Sequence, residues 1–531
     1  MTTSSQFKNQ PLADFSIQAN RQALSDALAA LDQQIQSHGL KAMPIIAGRS
    51  EAGHETVSNR DPSDTSVTIG TTTYATVEQA SRAVSTTAKG FIAWRARPYL
   101  ERAQIIERLG LLIKERAAFL TALIIREAGK TWKEADGDLC EAVDFCLYYA
   151  AEMRRLGPPT LTEQVLGEDN HYLYQPRGVV AVIAPWNFPL AIACGMVTAA
   201  LVTGNAAILK PSEQTSIIGY EFAKLVLEAG VPADCFAFLP GRGEEIGRAL
   251  VESPAVSMIV FTGSRAVGLE IISNAAIVKP GQHGIKRVVA ELGGKNAIII
   301  DEDADFDDAI RGVLSSAFGF AGQKCSACSR LIVVGAAYEP FLERLAAATT
   351  ELRVGPAADP ASFYGPVIDQ ESFNRISALI NGAADLTLLT QGQAPDTANT
   401  PGWYIPPTIF RDVPTTHLVW REEIFGPVVA CLRADSFTKA LEFANDSDYA
   451  LTGGVFSRNP RNIELARSEF RVGNLYINRG ITGALVARQP FGGFKFSGIG
   501  SKAGGRDYLL QFMEPRVITE NTMRRGFTPD L

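Results

Sequence analysis

Residues 178–209 carry no charge, and the way this run is interrupted constrains the fold more than any other feature of the chain. A stretch of that length is long enough to cross a bilayer. Pro185, Asn187 and Pro189 cut it in two, however, leaving a β-branched run, Gly178-Val179-Val180-Ala181-Val182-Ile183-Ala184, and an apolar run over 190–202 closed by Gly204-Asn205. Proline stops both periodic structures, so the pieces predict a buried strand, a turn and a buried helix. Ala206-Ala207-Ile208-Leu209-Lys210 predicts a second strand, and 216–229 a helix ending at Gly230. Phe236-Ala237-Phe238-Leu239, Met258-Ile259-Val260-Phe261 and Arg287-Val288-Val289-Ala290 continue the alternation. Fully apolar strands separated by helices imply a parallel sheet covered on both faces. An α/β chain with a doubly wound nucleotide-binding domain is the expectation.

At 531 residues the chain exceeds one ordinary core. Upstream, residues 76–94 and 99–128 have helical spacing with many charges, Gly129-Lys130-Thr131 ends the second run, and a further helix is expected to about residue 153. Residues 1–60 hold one amphipathic helix over 21–38 followed by Gly, Pro and polar residues, which predicts a peripheral segment. The net charge of −7, without a Lys/Arg block, argues against nucleic acid or an anionic membrane as principal partner. Seven cysteines, an odd number set inside apolar runs, suit a reducing compartment, and Met1-Thr2-Thr3-Ser4-Ser5-Gln6 leads into no apolar leader; a cytoplasmic enzyme is expected.

The chemistry-bearing segment is Phe318-Gly319-Phe320-Ala321-Gly322-Gln323-Lys324-Cys325-Ser326-Ala327-Cys328. A cysteine on a glycine turn beside a lysine can be a nucleophile, because a cation, backbone amides or a helix N-terminus favour the thiolate. Two other readings stand at this point: buried packing thiols, or a redox or metal CxxC, of which zinc is weakened by the lack of a second CxxC. For a dinucleotide, Phe261-Thr262-Gly263-Ser264-Arg265-Ala266-Val267-Gly268 offers a glycine turn after a strand, with Gly-x4-Gly in place of GxGxxG; taken alone, such a glycine is more often simple turn chemistry. Lys210-Pro211-Ser212-Glu213 is a stronger cue. A lysine and a carboxylate at a strand's end can hold ribose hydroxyls, and Glu213 would repel a 2′-phosphate, favouring NAD over NADP.

Six motifs in order resemble those of the aldehyde dehydrogenase family over nearly the whole chain: Pro185-Trp186-Asn187-Phe188-Pro189, Lys210-Pro211-Ser212-Glu213, Phe261-Thr262-Gly263-Ser264, Glu291-Leu292-Gly293-Gly294-Lys295-Asn296, Gly322-Gln323-Lys324-Cys325 and Glu422-Glu423-Ile424-Phe425-Gly426-Pro427. The resemblance implies an NAD-binding domain from 1–157 and 174–290 with a five-stranded Rossmann-type sheet, an α/β catalytic domain over 291–504, and a β oligomerisation element from 158–173 and 505–531 serving a homodimer or higher homo-oligomer. It implies Cys325 as nucleophile, Asn187 as oxyanion donor with the Cys325 N–H, and Glu291 as the base that activates water. For NAD it implies Ile183, Pro185, Trp186, Lys210, Ser212, Glu213, Phe261, Thr262, Gly263, Ser264, Leu292, Glu423 on the nicotinamide ribose and Phe425 beside the ring. No metal is implied.

Ile481-Thr482-Gly483-Ala484-Leu485-Val486, Gln489-Pro490-Phe491-Gly492-Gly493-Phe494 and Ser497-Gly498-Ile499-Gly500-Ser501-Lys502-Ala503-Gly504-Gly505 resemble the branch of the family that acts on L-glutamate γ-semialdehyde, the 1-pyrroline-5-carboxylate dehydrogenase group. There Gly483 and Ala484 would anchor the α-carboxylate, Ser326 would add a hydroxyl, Phe188 and Phe491 would sandwich the chain, and Glu141 would face the ammonium. Another small or carboxylated aldehyde is the alternative. Ala487, where glycine is common, and Arg506, where proline is more frequent, depart from the branch.

Overall fold

The computed structural model describes residues 7–396 and 401–523; residues 1–6, where an apolar leader was looked for, 397–400 of the expected catalytic domain and 524–531 of the expected oligomerisation segment lie outside the described residues. The five apolar runs form strands Val179–Ile183, Ala206–Lys210, Phe236–Phe238, Val256–Thr262 and Arg287–Glu291, all parallel. From Val179–Ile183 the chain builds outward to one side through Ala206–Lys210 and Phe236–Phe238. It then crosses to the other side for Val256–Thr262 and Arg287–Glu291. Strand order therefore reverses between Val179–Ile183 and Val256–Thr262, and the crevice beyond their C-terminal ends is the place where such sheets bind ligands. The uncharged helix Ala191–Val202 is buried at every position except Ile192, which is why it lacks a polar face.

The sheet is wider than the expected five strands. Ile45–Ile46 and Arg49–Ser50 extend it antiparallel at one edge and Gly498–Ile499 at the other, giving eight strands. These short pieces are too brief to show periodicity, yet they cover edge N–H and C=O groups that would otherwise be open. The N-terminal segment is accordingly not peripheral. Helix Gln18–His38 buries Leu24, Leu28 and Leu31, and Ile45 and Ile46 are buried under the sheet's neighbours.

The run over 99–128 is two helices, Tyr99–Glu115 and Ala117–Ala128, broken at Arg116. Gly129, at φ 67°, stops the second, and helix Trp132–Leu156 follows. Glu127 reaches from this bundle to the helix Ser216–Glu228, where its two carboxylate oxygens accept the Ile217 and Ile218 N–H groups at 2.8 Å each. Those N-terminal amides have no partner inside their own helix.

A second, seven-stranded sheet has the order Thr387–Gln391, Thr408–Arg411, Val428–Ala434, Cys328–Val334, Asn296–Ile300, Thr452–Phe456, Asn474–Ile477, parallel except at the first strand. It has its own apolar core around Ile298, Ile299, Leu331 and Ile332. Glu168–Pro176 pairs antiparallel with Met513–Asn521 from Pro176↔Met513 to Glu168↔Asn521, and Thr160–Leu161 adds a third strand. Among the described residues no helix is long and apolar enough to cross a membrane.

Replacing Glu127 by Ala should lower stability by about 1–3 kcal/mol, read as a drop in the thermal unfolding midpoint, because two buried helix amides lose their acceptor; an unchanged midpoint would mean that water replaces the carboxylate at no cost.

Candidate active site

The C-terminal edge of the first sheet meets the N-terminal edge of the second, and the motif Glu291-Leu292-Gly293-Gly294-Lys295-Asn296 is the joint. Glu291 ends the strand Arg287–Glu291 of the first sheet and Asn296 begins Asn296–Ile300, an interior strand of the second. Each bare position in between admits a neighbour. A Cβ on Gly293 would lie 2.2 Å from Glu423 Oε2, and one on Gly294 would lie 2.3 Å from the Cys325 carbonyl. Asn296 then holds the cysteine loop: its Nδ2 donates to the carbonyls of Cys325 (2.7 Å) and Ala327 (2.9 Å), and its Oδ1 accepts from Thr452 N (3.0 Å).

The loop reaches this position through a sharp reversal. Phe320, Ala321 and Gly322 are consecutive left-handed residues at φ 54°, 54° and 69°. Such conformations cost energy for residues other than glycine and persist only where the surroundings enforce them. Gln323, fully buried, supplies part of that enforcement, donating to Phe320 O and Pro366 O and accepting from Ile368 N.

Cys325 opens on a cleft of about 910 Å3, counted to its open mouth, whose walls include Glu141, Phe188, Glu291, Ser326, Gly483, Ala484 and Phe491. Every residue expected to hold the aldehyde thus shares this cleft with Cys325, from five separate stretches of chain. Gly483 is left-handed at φ 74° with open space where a Cβ would stand, so its backbone is accessible from the cleft. Phe491 is fixed by a mutual pair of backbone hydrogen bonds with Ala503, at 2.9 and 2.7 Å. Cys328 behaves differently. It starts the strand Cys328–Val334, is 1% exposed, and packs in the second sheet's core, so the redox-pair and packing readings separate: Cys325 faces the cleft and Cys328 does not.

Lys324 does not assist the thiol. Its Nζ is bound to Glu134 Oε1 at 2.7 Å, which diverts the cation that the sequence places beside Cys325. Burial pushes the Cys325 thiol up, the Glu423 and Glu291 carboxylates push it further, and the N–H groups of Ser326 and Cys325 only partly offset them. The thiol form therefore dominates until a base takes its proton. Glu291 is itself pushed up to about 8 by burial, with the Lys502 charge acting the other way. Its Oε2 is buried without a partner. Gly492 and Gly498 make room for this carboxyl, a Cβ on either coming to 2.9 Å from Oε1 and 3.5 Å from Oε2 respectively. An unpartnered carboxyl of raised pKa facing a cleft is suited to hold a water and take its proton.

Asn187 sits behind the cleft wall, 5% exposed, with Nδ2 donating to Gln323 O at 3.1 Å. One amide N–H is used in that bond; the second remains for an oxyanion. Along the crevice, Ile183 ends the first strand and Pro185 lies just beyond it, Lys210 donates to Glu213 Oε1 and Pro211 O at 3.0 Å each, and Ser212 precedes Glu213. Phe261 and Thr262 end the neighbouring strand, Gly263 follows it, and Ser264 caps the helix Arg265–Ala276 by accepting Val267 N. Gly268, read above as part of a glycine signature, gives way to Leu292, which would stand 2.3 Å from a Cβ. Glu423 accepts Gly294 N at 2.8 Å and is raised to about 7 by burial. Phe425, left-handed at φ 56°, packs edge-on against Trp186 with centroids 5.5 Å apart.

Sequence reading missed Phe145, Tyr149 and Tyr508 of the cleft wall. Glu134, Asp138, Glu141, Phe145 and Tyr149 recur at four, three, four and four residues, the spacing of one helix face, so this stripe was legible. Tyr508 was not, since only folding stacks it on Tyr149, at 5.5 Å with planes 8° apart.

This arrangement, a cleft thiol under an unpartnered carboxyl at the junction of a dinucleotide-type sheet and a second α/β sheet, belongs to a known class. The sequence profile of the aldehyde dehydrogenase family matches residues 49–518, and the chain belongs to that family. Among full-length relatives, 1-pyrroline-5-carboxylate dehydrogenase of Geobacillus sp. (strain WCH70) is 45% identical, over 97% of this chain and 99% of its own. A crystal structure of 1-pyrroline-5-carboxylate dehydrogenase from Thermus with bound NAD is 42% identical with a TM-score of 0.95, over 98% of this chain and all of that one. Proline utilization A from Bdellovibrio bacteriovorus is 47% identical at a TM-score of 0.96; it matches 99% of this chain, which spans 54% of that longer one.

Iodoacetamide should alkylate Cys325 ahead of the six buried cysteines, at a rate that climbs with pH from neutrality past 9 without levelling, because burial holds the thiol protonated. Peptide mapping by mass spectrometry reads this; equal labelling of Cys328 would contradict its burial.

Proposed function

We propose that the chain oxidises L-glutamate γ-semialdehyde, the open form of 1-pyrroline-5-carboxylate, to L-glutamate in proline degradation, with NAD as oxidant. The observation that carries this reading is that Cys325 and Glu291 share one cleft with Gly483, Ala484, Ser326 and the rings of Phe188 and Phe491. The full-length relatives named for that activity support it. A substrate of this kind presents a reactive carbonyl at one end and a carboxylate at the other, and backbone N–H groups at Gly483-Ala484 suit the latter.

The chain's polar groups fit the dinucleotide. Lys210 and Glu213 would hold the adenosine ribose, with Gly243 leaving space beside Glu213, where a Cβ would stand 4.0 Å from Oε1. Ser264, with the N-terminus of the Arg265–Ala276 helix, would face the diphosphate, Glu423 the nicotinamide ribose and Phe425 the ring. Bound there, NAD supplies the hydride acceptor. The residues do the rest. The Cys325 thiol gives its proton to water in the open cleft as its sulfur adds to the aldehyde carbon, and Asn187 Nδ2 with the Cys325 N–H carries the negative oxygen. Once the hydride has left, the thioester is cleaved by a water that gives its proton to Glu291. Glu141, raised to about 8 by burial and neighbouring carboxylates, faces the ammonium end of the substrate. The expected domains follow this division of labour. The exposed Val517 and Ile518 on Met513–Asn521, an edge strand, suit a homo-oligomer, and the unpaired cysteines suit the cytoplasm.

NAD reduction should favour glutamate γ-semialdehyde over succinate semialdehyde and simple aliphatic aldehydes by at least tenfold in kcat/KM; a preference for either other class would sink the substrate assignment. With Glu291 protonated below about 8, the steady-state rate should rise as pH climbs through that value. Glu291→Gln should flatten this limb while leaving the first-turnover burst of NADH, and a normal steady rate in that variant would mean another group activates the water.

A further inference from the structure

Lys130 was singled out in the sequence only as part of a helix stop, yet it is one of the most completely buried cations in the protein. It follows the left-handed Gly129 and is 0% exposed. Its Nζ donates to the backbone carbonyl of Asn187 at 2.8 Å and to Asp138 Oδ2 at 3.2 Å. The same ammonium lies 3.6 Å from the centroid of the Phe188 ring and 4.9 Å from that of Phe320. It therefore touches the residue that carries the oxyanion donor, the ring that walls the cleft and the residue that begins the left-handed reversal before Cys325. Asp138 completes the anchor, since its Oδ1 accepts Ala191 N at 2.7 Å, at the first turn of the helix that follows the Pro185–Pro189 turn.

A buried ion pair is expensive. Taking a lysine and an aspartate out of water costs several kcal/mol per ion, and a well-packed apolar pair would hold the turn at Lys130 to the helix Trp132–Leu156 at least as well. Burial works against both charges here, pushing Lys130 down and Asp138 up. What an apolar pair cannot supply is a donor for the carbonyl of the buried Asn187, or a cation over Phe188. The turn between Pro185 and Pro189 contains no regular secondary structure to fix it. Its side chains are set instead by what grips the backbone, and Lys130 grips it at Asn187.

We propose that Lys130, held by Asp138, is a positioning residue for the reaction: it fixes the Asn187 peptide so that the side-chain amide meets the developing oxyanion, and it holds the Phe188 ring against the aldehyde. This rests on Asn187 acting as the oxyanion donor. The function of Lys130 is expressed through Asn187, and that dependence separates it from a general contribution to folding. A misplacement of about 1 Å in such a donor costs on the order of a hundredfold in rate.

The test is a double-mutant cycle on the full-length enzyme. Lys130→Met alone would strand the Asp138 charge, so the variant is Lys130→Met/Asp138→Asn, which removes both charges and keeps an acceptor for Ala191 N. Its conservative companion carries Lys130→Gln with the same Asp138→Asn, able to donate to the Asn187 carbonyl without a charge. Each is made with Asn187 intact and with Asn187→Ala, and is measured for kcat, KM for the aldehyde, NAD binding and a cooperative thermal transition. With Asn187 intact, Lys130→Met/Asp138→Asn should lose about ten- to a hundredfold in kcat with NAD binding preserved, and Lys130→Gln/Asp138→Asn should recover part of that loss. In the Asn187→Ala background the same changes should cost less than about twofold. Equal losses in the two backgrounds would overturn the proposal and leave Lys130 a packing residue, as would an unchanged kcat with Asn187 intact. Asn187→Ala with full activity would overturn both this inference and the donor role on which it rests. Asn187→Ala with lowered activity but no dependence between the sites would overturn this inference alone.

Discussion

One buried side-chain amide, that of Asn296, decides whether the two halves of the site meet. It binds two carbonyls of the cysteine loop and one amide of the strand Thr452–Phe456, so loop, sheet edge and neighbouring strand share a single joint. An unsatisfied buried donor or acceptor costs about 1–3 kcal/mol, and this residue satisfies three partners at once while being 3% exposed itself. The glycines before it are part of the same constraint. Without side chains at Gly293 and Gly294, Glu423 and the Cys325 carbonyl come to within contact of the main chain. The left-handed reversal at Phe320, Ala321 and Gly322 is tolerable because Asn296 holds the loop on one side and Gln323 on the other.

Burial is the second organising force, and it sets the protonation of the site. Cys325, Glu291 and Glu423 are all pushed toward their neutral forms by the same desolvation, and the one cation adjacent in sequence is neutralised by Glu134. The resting site is thus a thiol and a carboxyl of raised pKa, not a preformed ion pair. Such a site keeps its thiol protonated until a base is in place. The long helix Trp132–Leu156 takes part at each level, sending Glu134 to Lys324, Asp138 to Lys130 and the Ala191 amide, and Glu141, Phe145 and Tyr149 to the cleft.

The departures from the family pattern are now physical statements. Ala487 adopts φ 64°, a conformation that glycine enters freely and alanine does not, so the substitution carries local strain next to the backbone bond between Ala487 N and Gly504 O. Arg506 is exposed, and its carbonyl accepts from Arg155; it stands outside the cleft wall.

Much of the fold was legible because its signals are local. An uncharged run cut by Pro185 and Pro189 can only be buried strand, turn and buried helix, and the alternation that follows fixes a parallel sheet. The order of motifs identified the family, and the roles proposed for Cys325, Glu291 and Asn187 start from it. The edge strands Ile45–Ile46 and Gly498–Ile499 were hidden, since two residues carry no period and gain structure only from the neighbour they pair with. The partner of Lys324, the stacking of Tyr508 on Tyr149 and the grip of Lys130 on Asn187 were hidden for the same reason. Sequence by itself determined which of the long apolar runs are buried and which residue types could carry the chemistry, because hydrophobic periodicity and residue chemistry are properties of neighbours along the chain. Tertiary structure alone decided which charge meets which and which carboxyl stays without a partner, because those depend on distances between residues far apart in sequence and on the exclusion of water that only packing produces.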